Sequence, residues 1–161
     1  MPQIPDLISM LQAGVHFGHK LSRRNPKMEP YIFAAKSGFH IINLEETQRQ
    51  LQRALDAVTS IVANGGVVLF LGTKKQACGI ITKHAQACGM PYINERWLGG
   101  TVTNFVAIHK LITKYVSLKE QKEKGQLDQY TKKERLEFDR EIARLDKTVG
   151  GVATLNKIPD V

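Results

Sequence analysis

Lys74 and Lys75 stand directly after Val67-Val68-Leu69-Phe70-Leu71-Gly72-Thr73. They precede a run, Gln76 to Ala87, in which Ala77, Ile80, Ile81, His84 and Ala85 recur close to helical spacing. Two ammonium groups at a strand-to-helix turn, where the first N–H groups of the helix lack partners and the helix dipole is positive, suit an anion, phosphate above all. A second basic set lies upstream. His16, His19, Lys20, Arg23, Arg24 and Lys27 fall between Val15 and Met28 with no acidic residue among them. Interleaved with Phe17 and followed by Tyr31, these side chains fit backbone phosphates and stacked bases of RNA. A solvated basic loop is the plainer alternative.

The surrounding pattern limits what other chemistry is available. A dinucleotide site would need G-x-G-x-x-G after the strand and a P-loop G-x-x-x-x-G-K-[ST], whereas only Gly72-Thr73-Lys74-Lys75 follows Leu71. The acids near the strand ends are Glu45, Glu46 and Glu95, a poor supply for a magnesium-nucleotide site. His16 and His19 have no second His or Cys pair at zinc spacing, and His40, His84 and His109 are scattered. Cys78 and Cys88 lie about 15 Å apart on one helix, too far for a disulfide. With no carboxylate pair and no Ser-His or Cys-His arrangement, an enzyme is the weaker class, and no cofactor or metal is expected.

The elements that must position these groups follow from the pattern. Val67 to Leu71, apolar, β-branched at its start and flanked by glycines, reads as a strand buried on both faces of a parallel sheet. Asp6 to Ala13 reads as a short helix capped by Asp6, Val15 to Met28 as loop, Phe39 to Leu44 as a second strand and Tyr92 to Asn94 as a third. Thr47 to Ala63 forms a helix with Leu51, Ala54, Leu55, Val58, Ile61 and Val62 on one side. Strand–helix–strand–helix–strand is the order of a layered α/β fold with right-handed crossovers. After Arg96 to Asn104 that order breaks. Phe105, Ile108, Ile112 and Tyr115, then Phe138, Ile142, Leu145 and Val149, form two narrow seams, and Thr131-Lys132-Lys133-Glu134 is a capping box opening the second helix. The pair reads as an antiparallel helical hairpin.

Bulk properties agree with a nucleic-acid partner. The 161 residues are 42% hydrophobic, enough for a packed core, and carry a net charge of +8. Such an excess favours a polyanion partner, nucleic acid first and an anionic membrane second. No apolar run reaches membrane-spanning length and Met1–Asp6 has no secretory character, so a cytoplasmic protein, or one made inside an organelle, is expected.

Several stretches together resemble one family. Val15-His16-Phe17-Gly18-His19, Arg24-Asn25-Pro26-Lys27-Met28, Pro30-Tyr31-Ile32-Phe33, His40-Ile41-Ile42-Asn43-Leu44-Glu45, Leu71-Gly72-Thr73-Lys74, Arg96-Trp97-Leu98-Gly99-Gly100-Thr101-Val102-Thr103-Asn104 and Leu127-Asp128-Gln129-Tyr130-Thr131-Lys132-Lys133-Glu134 are similar, in order, to bacterial-type ribosomal protein S2. The resemblance runs from about Met10 to Val161. It implies a flavodoxin-like three-layer α/β/α fold with a parallel sheet over 1–102 and 150–161, and an inserted antiparallel coiled-coil hairpin over 103–149. It implies a structural, non-catalytic role in the small ribosomal subunit. The partners implied are small-subunit rRNA, neighbouring ribosomal proteins and the OB-repeat protein that delivers mRNA, with no membrane. The RNA-facing residues it implies are His16, His19, Lys20, Arg23, Arg24, Asn25, Lys27, Lys74, Lys75, Arg96, Trp97 and Asn104, with Trp97 open to a core role instead. Family members continue past Pro159-Asp160-Val161, so the sheet is expected to be incomplete here, with the Val67–Leu71 edge unpaired. A small nucleotide-binding α/β protein using Lys74 and Lys75 is the rival.

Overall fold

The computed structural model describes residues 4–161, so the reading of Met1–Gln3 as free of targeting character lies outside it. The chain divides into two compact units, Met1–Ser60 and Ile61–Val161.

The first unit opens on α1, Leu7–Gln12, capped as expected: Asp6 Oδ1 accepts the Ser9 N–H at 3.0 Å. Three strands follow, β1 (Phe17–Lys20), β2 (Ile32–Lys36) and β3 (Phe39–Ile42), in an antiparallel sheet of order β1-β3-β2. Two expectations are corrected by this sheet. The Val15–Met28 segment is not simply loop, since it holds β1 and the 3-10 turn Leu21–Arg23, and a second 3-10 segment, Pro26–Tyr31, begins in it. Phe39–Ile42 is a strand, but of an antiparallel sheet rather than a parallel one. The cause is the turn Lys36-Ser37-Gly38-Phe39: Ser37 and Gly38 both take positive φ, 52° and 82°, and Lys36 pairs with Phe39. Two central residues with positive φ give the tight turn whose twist matches a right-handed hairpin, and it folds β2 back on β3. The helix α2, Leu44–Ala63, begins three residues earlier than the periodicity suggests because the Asn43 side chain accepts the Glu45 N–H at 3.0 Å. Its half-buried side includes Leu44, Leu51, Leu55 and Val58.

In the second unit, β4 (Phe70–Leu71) and β5 (Tyr92–Ile93) pair in parallel, with Phe70 opposite Tyr92 and Leu71 opposite Ile93. Between them runs α3, Lys75–Cys88, so the strand–helix–strand order is present. The apolar run is less enclosed than a strand covered on both faces: Val68 is buried, while Leu71 is half exposed. The edge expected to be unpaired is met at its start by the last two residues. Leu69 N–H donates to the Val161 carbonyl at 2.7 Å, the N–H groups of Asp160 and Val161 donate to the Val67 carbonyl at 2.9 and 3.3 Å, and the Asp160 carboxylate accepts the Val67 N–H at 2.8 Å. These alternating bonds are those of a parallel bridge. Both cysteines are free.

Two long helices complete the unit, α4 (Phe105–Glu123) and α5 (Lys132–Val149). They run antiparallel: Lys122 pairs with Asp139 at 2.7 Å, Lys114 with Glu141 at 2.9 Å, and Tyr115 donates to Asp146 at 2.5 Å. Thr131 and Glu134 form the reciprocal capping box. Ile108, Ile112, Tyr115, Leu145 and Val149 are buried, as the seams require, and one core joins them to Ile93, Val152 and Leu155. This core holds most of the buried apolar side chains among the described residues.

Burial and the bond to Asp146 push the Tyr115 hydroxyl up to about 12. A phenol whose folded pKa exceeds its free value of 10 contributes stability that is full below pH 10 and is lost as pH rises toward 12. Tyr115→Phe should therefore lower stability by about 1–2 kcal/mol at neutral pH. Urea unfolding at increasing pH should show the wild-type advantage vanishing across pH 10–12.

Candidate nucleic-acid interface

The basic segment is presented by β1 and two 3-10 turns. Lys20 ends β1; Arg23 closes the turn Leu21–Arg23; Asn25 opens the segment Pro26–Tyr31, its Oδ1 accepting the Lys27 N–H at 3.0 Å. His19, Lys20, Arg23, Arg24, Asn25 and Lys27 are all exposed, while His16 is half buried with its ring 4.1 Å from that of Phe17. Asn25 is thus tied to the backbone, and the cations around it are held on a short, locally braced scaffold. Arg24 reaches Glu29 at 2.9 Å, with both side chains largely exposed. An exposed pair of this kind is worth little, about 0–1 kcal/mol, so the guanidinium stays available to another anion.

Four of the expected residues converge. His19, Arg23, Arg24 and Asn25 line a cavity of about 460 Å³ together with Gly18, Met28, Ile32, His40 and Ile42. Next to it, Gly18, His19, Lys20, Arg23 and Phe39 line a smaller recess. His16 lies elsewhere, in an apolar cavity with Leu7, Leu11, Phe33 and Ile41. Its Nδ1 is closed off from water and has no hydrogen-bond partner among the described residues. Nothing in the residue types of the segment indicates that His40, Ile32 and Met28 join the basic set. The signal lay in strand alternation, which puts His40 and Ile42 on the same face of β3.

The second expected set belongs to the other unit. Lys74 is the N-cap of α3 and Lys75 its first residue; both are exposed, and Lys74 makes no side-chain cap bond. Because β4 and β5 are parallel neighbours, Lys74 and Arg96 leave the same, carboxyl end of the pair, where open α/β sheets bind ligands. Cys78 joins these segments, its thiol donating to the Asn94 carbonyl at 2.8 Å. Trp97 is 40% exposed, open to stacking rather than sealed in the core. Asn104 is the N-cap of α4, its side chain making no cap bond. Among the described residues no three His, Cys, Asp or Glu side chains form a metal-holding group, and no helix is long and apolar enough to cross a membrane.

A family model described as ribosomal protein S2 matches residues 10–161. The chain is 46% identical over 157 residues to the small ribosomal subunit protein uS2 of a Synechococcus strain, covering 98% of this chain and 60% of that protein. It is 45% identical over 152 residues to the protein of the same name from Desulfovibrio desulfuricans, covering 94% and 59%. To that of Francisella philomiragia it is 48% identical over 151 residues, covering 94% and 63%. The chain thus spans about 60% of the length of these curated relatives. A match running through the basic segment, the parallel strand pair and the helix pair alike leaves one assignment: the chain belongs to the ribosomal protein S2 family.

Proposed function

We propose that this chain is a structural constituent of the small ribosomal subunit that binds small-subunit rRNA and carries out no catalysis. The observation that carries this reading is the convergence of His19, Arg23, Arg24 and Asn25 on one cavity wall, in a chain whose relatives bear the name small ribosomal subunit protein. His16, Lys20 and Lys27 flank that wall in the sequence. Lys74, Lys75, Arg96, Trp97 and Asn104 supply a second contact, cationic with one ring open to stack a base. The family reading adds a flavodoxin-like α/β core that includes the parallel pair β4–β5 and a coiled-coil arm over 103–149, while the antiparallel sheet β1-β3-β2 belongs to the separate unit Met1–Ser60. Neighbouring ribosomal proteins, including the OB-repeat mRNA-binding one, adjoin it, and the site of action is the ribosome in the cytoplasm or an organelle.

Filter binding of the purified chain to small-subunit rRNA across a salt series tests this. Counterion release makes log K fall linearly with log salt, by about 0.7–0.9 for each phosphate neutralised. Absence of binding at low ionic strength would overturn the reading. The rival nucleotide-binding reading predicts that millimolar ATP or NAD raises the melting temperature; no rise is expected.

A further inference from the structure

The cavity of about 460 Å³ has walls of two kinds. Ile32, His40 and Ile42 come from one face of the antiparallel sheet, and Met28 adds a flexible apolar side chain. Arg23 ends the 3-10 turn Leu21–Arg23, Arg24 and Asn25 link it to the segment Pro26–Tyr31, and all three are exposed. The volume falls in the range of small-ligand sites, roughly 300–1,000 Å³.

His40 is the anomaly. Both its ring nitrogens are closed off from water, and neither has a hydrogen-bond partner among the described residues. A neutral imidazole carries one donor and one acceptor, and leaving both unmet in a folded protein is costly and uncommon. The two nitrogens point away from each other, so one ligand edge can meet only one of them, and only once the ring turns toward the cavity. A ligand with a flat apolar face, an edge that donates or accepts, and a negative charge alongside suits these walls. A nucleotide has all three.

We propose that this cavity takes one unpaired nucleotide of the bound RNA. Its base lies against Met28, Ile32 and Ile42, its edge pairs with one His40 nitrogen as the ring turns toward the cavity, and its phosphate sits at Arg23 and Arg24. Arg24 gives up its exposed partner Glu29 to do so, at little cost. The proposal rests on the RNA-binding reading above and adds to it a base-reading contact, which charge alone does not provide.

His40→Phe tests it, because it keeps a flat ring and removes both nitrogens. His40 makes no ring hydrogen bond among the described residues that the change would remove, so the melting temperature should hold or rise by up to about 3 °C. Affinity for small-subunit rRNA should nevertheless fall about tenfold, while affinity for inorganic polyphosphate, a polyanion without bases, stays unchanged. In the wild-type chain, the His40 imidazole nitrogen resonances should shift on adding mixed-sequence single-stranded RNA and not on adding polyphosphate. These resonances decide the matter should His40→Phe fail to fold. If rRNA binds with its usual salt dependence but the variant binds equally well and the resonances stay in place, the subsite is wrong and the RNA reading stands. An equal loss of polyphosphate affinity also overturns it. If rRNA does not bind at all, the parent reading falls and the subsite with it.

Discussion

Gly151→Ala is expected to destabilise the chain by about 3 kcal/mol or more, the upper end of what overpacking costs. A Cβ at this position would lie 2.3 Å from the Tyr92 carbonyl oxygen and 2.8 Å from two atoms of the Tyr92 ring. The nearest obstacle is backbone, so no side-chain rotation relieves it. Tyr92 belongs to β5, and the residues on either side hold β4: Phe70 N–H donates to the Pro91 carbonyl and Gly72 N–H to that of Ile93, both at 3.0 Å. Moving Tyr92 aside therefore strains the parallel pair and the core that Ile93 shares with Val149 and Val152. Against a typical total of 5–15 kcal/mol the loss is large. Gly79→Ala is the control: it sits inside α3 with nothing within 4 Å of the new methyl, and should stabilise by up to about 1 kcal/mol. Urea midpoints moving in opposite directions are the expected result. A Gly151→Ala midpoint equal to wild type would mean that the close approach does not exist.

The second large effect concerns binding. The combined change Arg23→Ala, Arg24→Ala and Lys27→Ala should make the salt slope shallower by about 2–3 and weaken rRNA binding about a hundredfold at 0.15 M salt. Each of the three cations engages one phosphate. Each contributes about 0.7–0.9 to the slope, and the loss follows by extrapolating to the molar standard state. These residues carry no buried side chain, so the fold should be unaffected. Arg24→Ala alone should cost about as much as Arg23→Ala, because its exposed pair with Glu29 is worth little. An unchanged slope in the triple variant would remove this segment from the interface.

What could be read from the sequence depended on whether the signal was local. Helix caps are decided within a turn, so Asp6 and the Thr131–Glu134 box were legible from residue type. So were the two seams, whose buried members Ile108, Ile112, Tyr115, Leu145 and Val149 obey a period set by helix geometry. The antiparallel sheet was not legible. Ile32 to Lys36 lacks polar alternation, and its turn puts Ser37, not a glycine, at positive φ, which is uncommon for such a residue. Without that hairpin, His40 could not be placed beside Arg23 and Arg24, since their proximity arises from pairing across strands. The basic character of the site was thus open to reading, and its apolar floor was not. Ile80 shows the same limit on a helix: it fits the apolar spacing of α3, yet is 62% exposed.

The pairing of Val67 with Asp160 spans 93 positions along the chain. Contacts so distant carry a loop-closure penalty that the Ser37-Gly38 hairpin and the α4–α5 pair largely escape. Hairpins close within microseconds, whereas a long-range strand partner is docked late, after the intervening helices have shortened the search. Late closure of the Val67–Leu69 edge is the order of assembly this topology favours. The Leu69 amide should accordingly exchange with deuterium sooner than that of Tyr115.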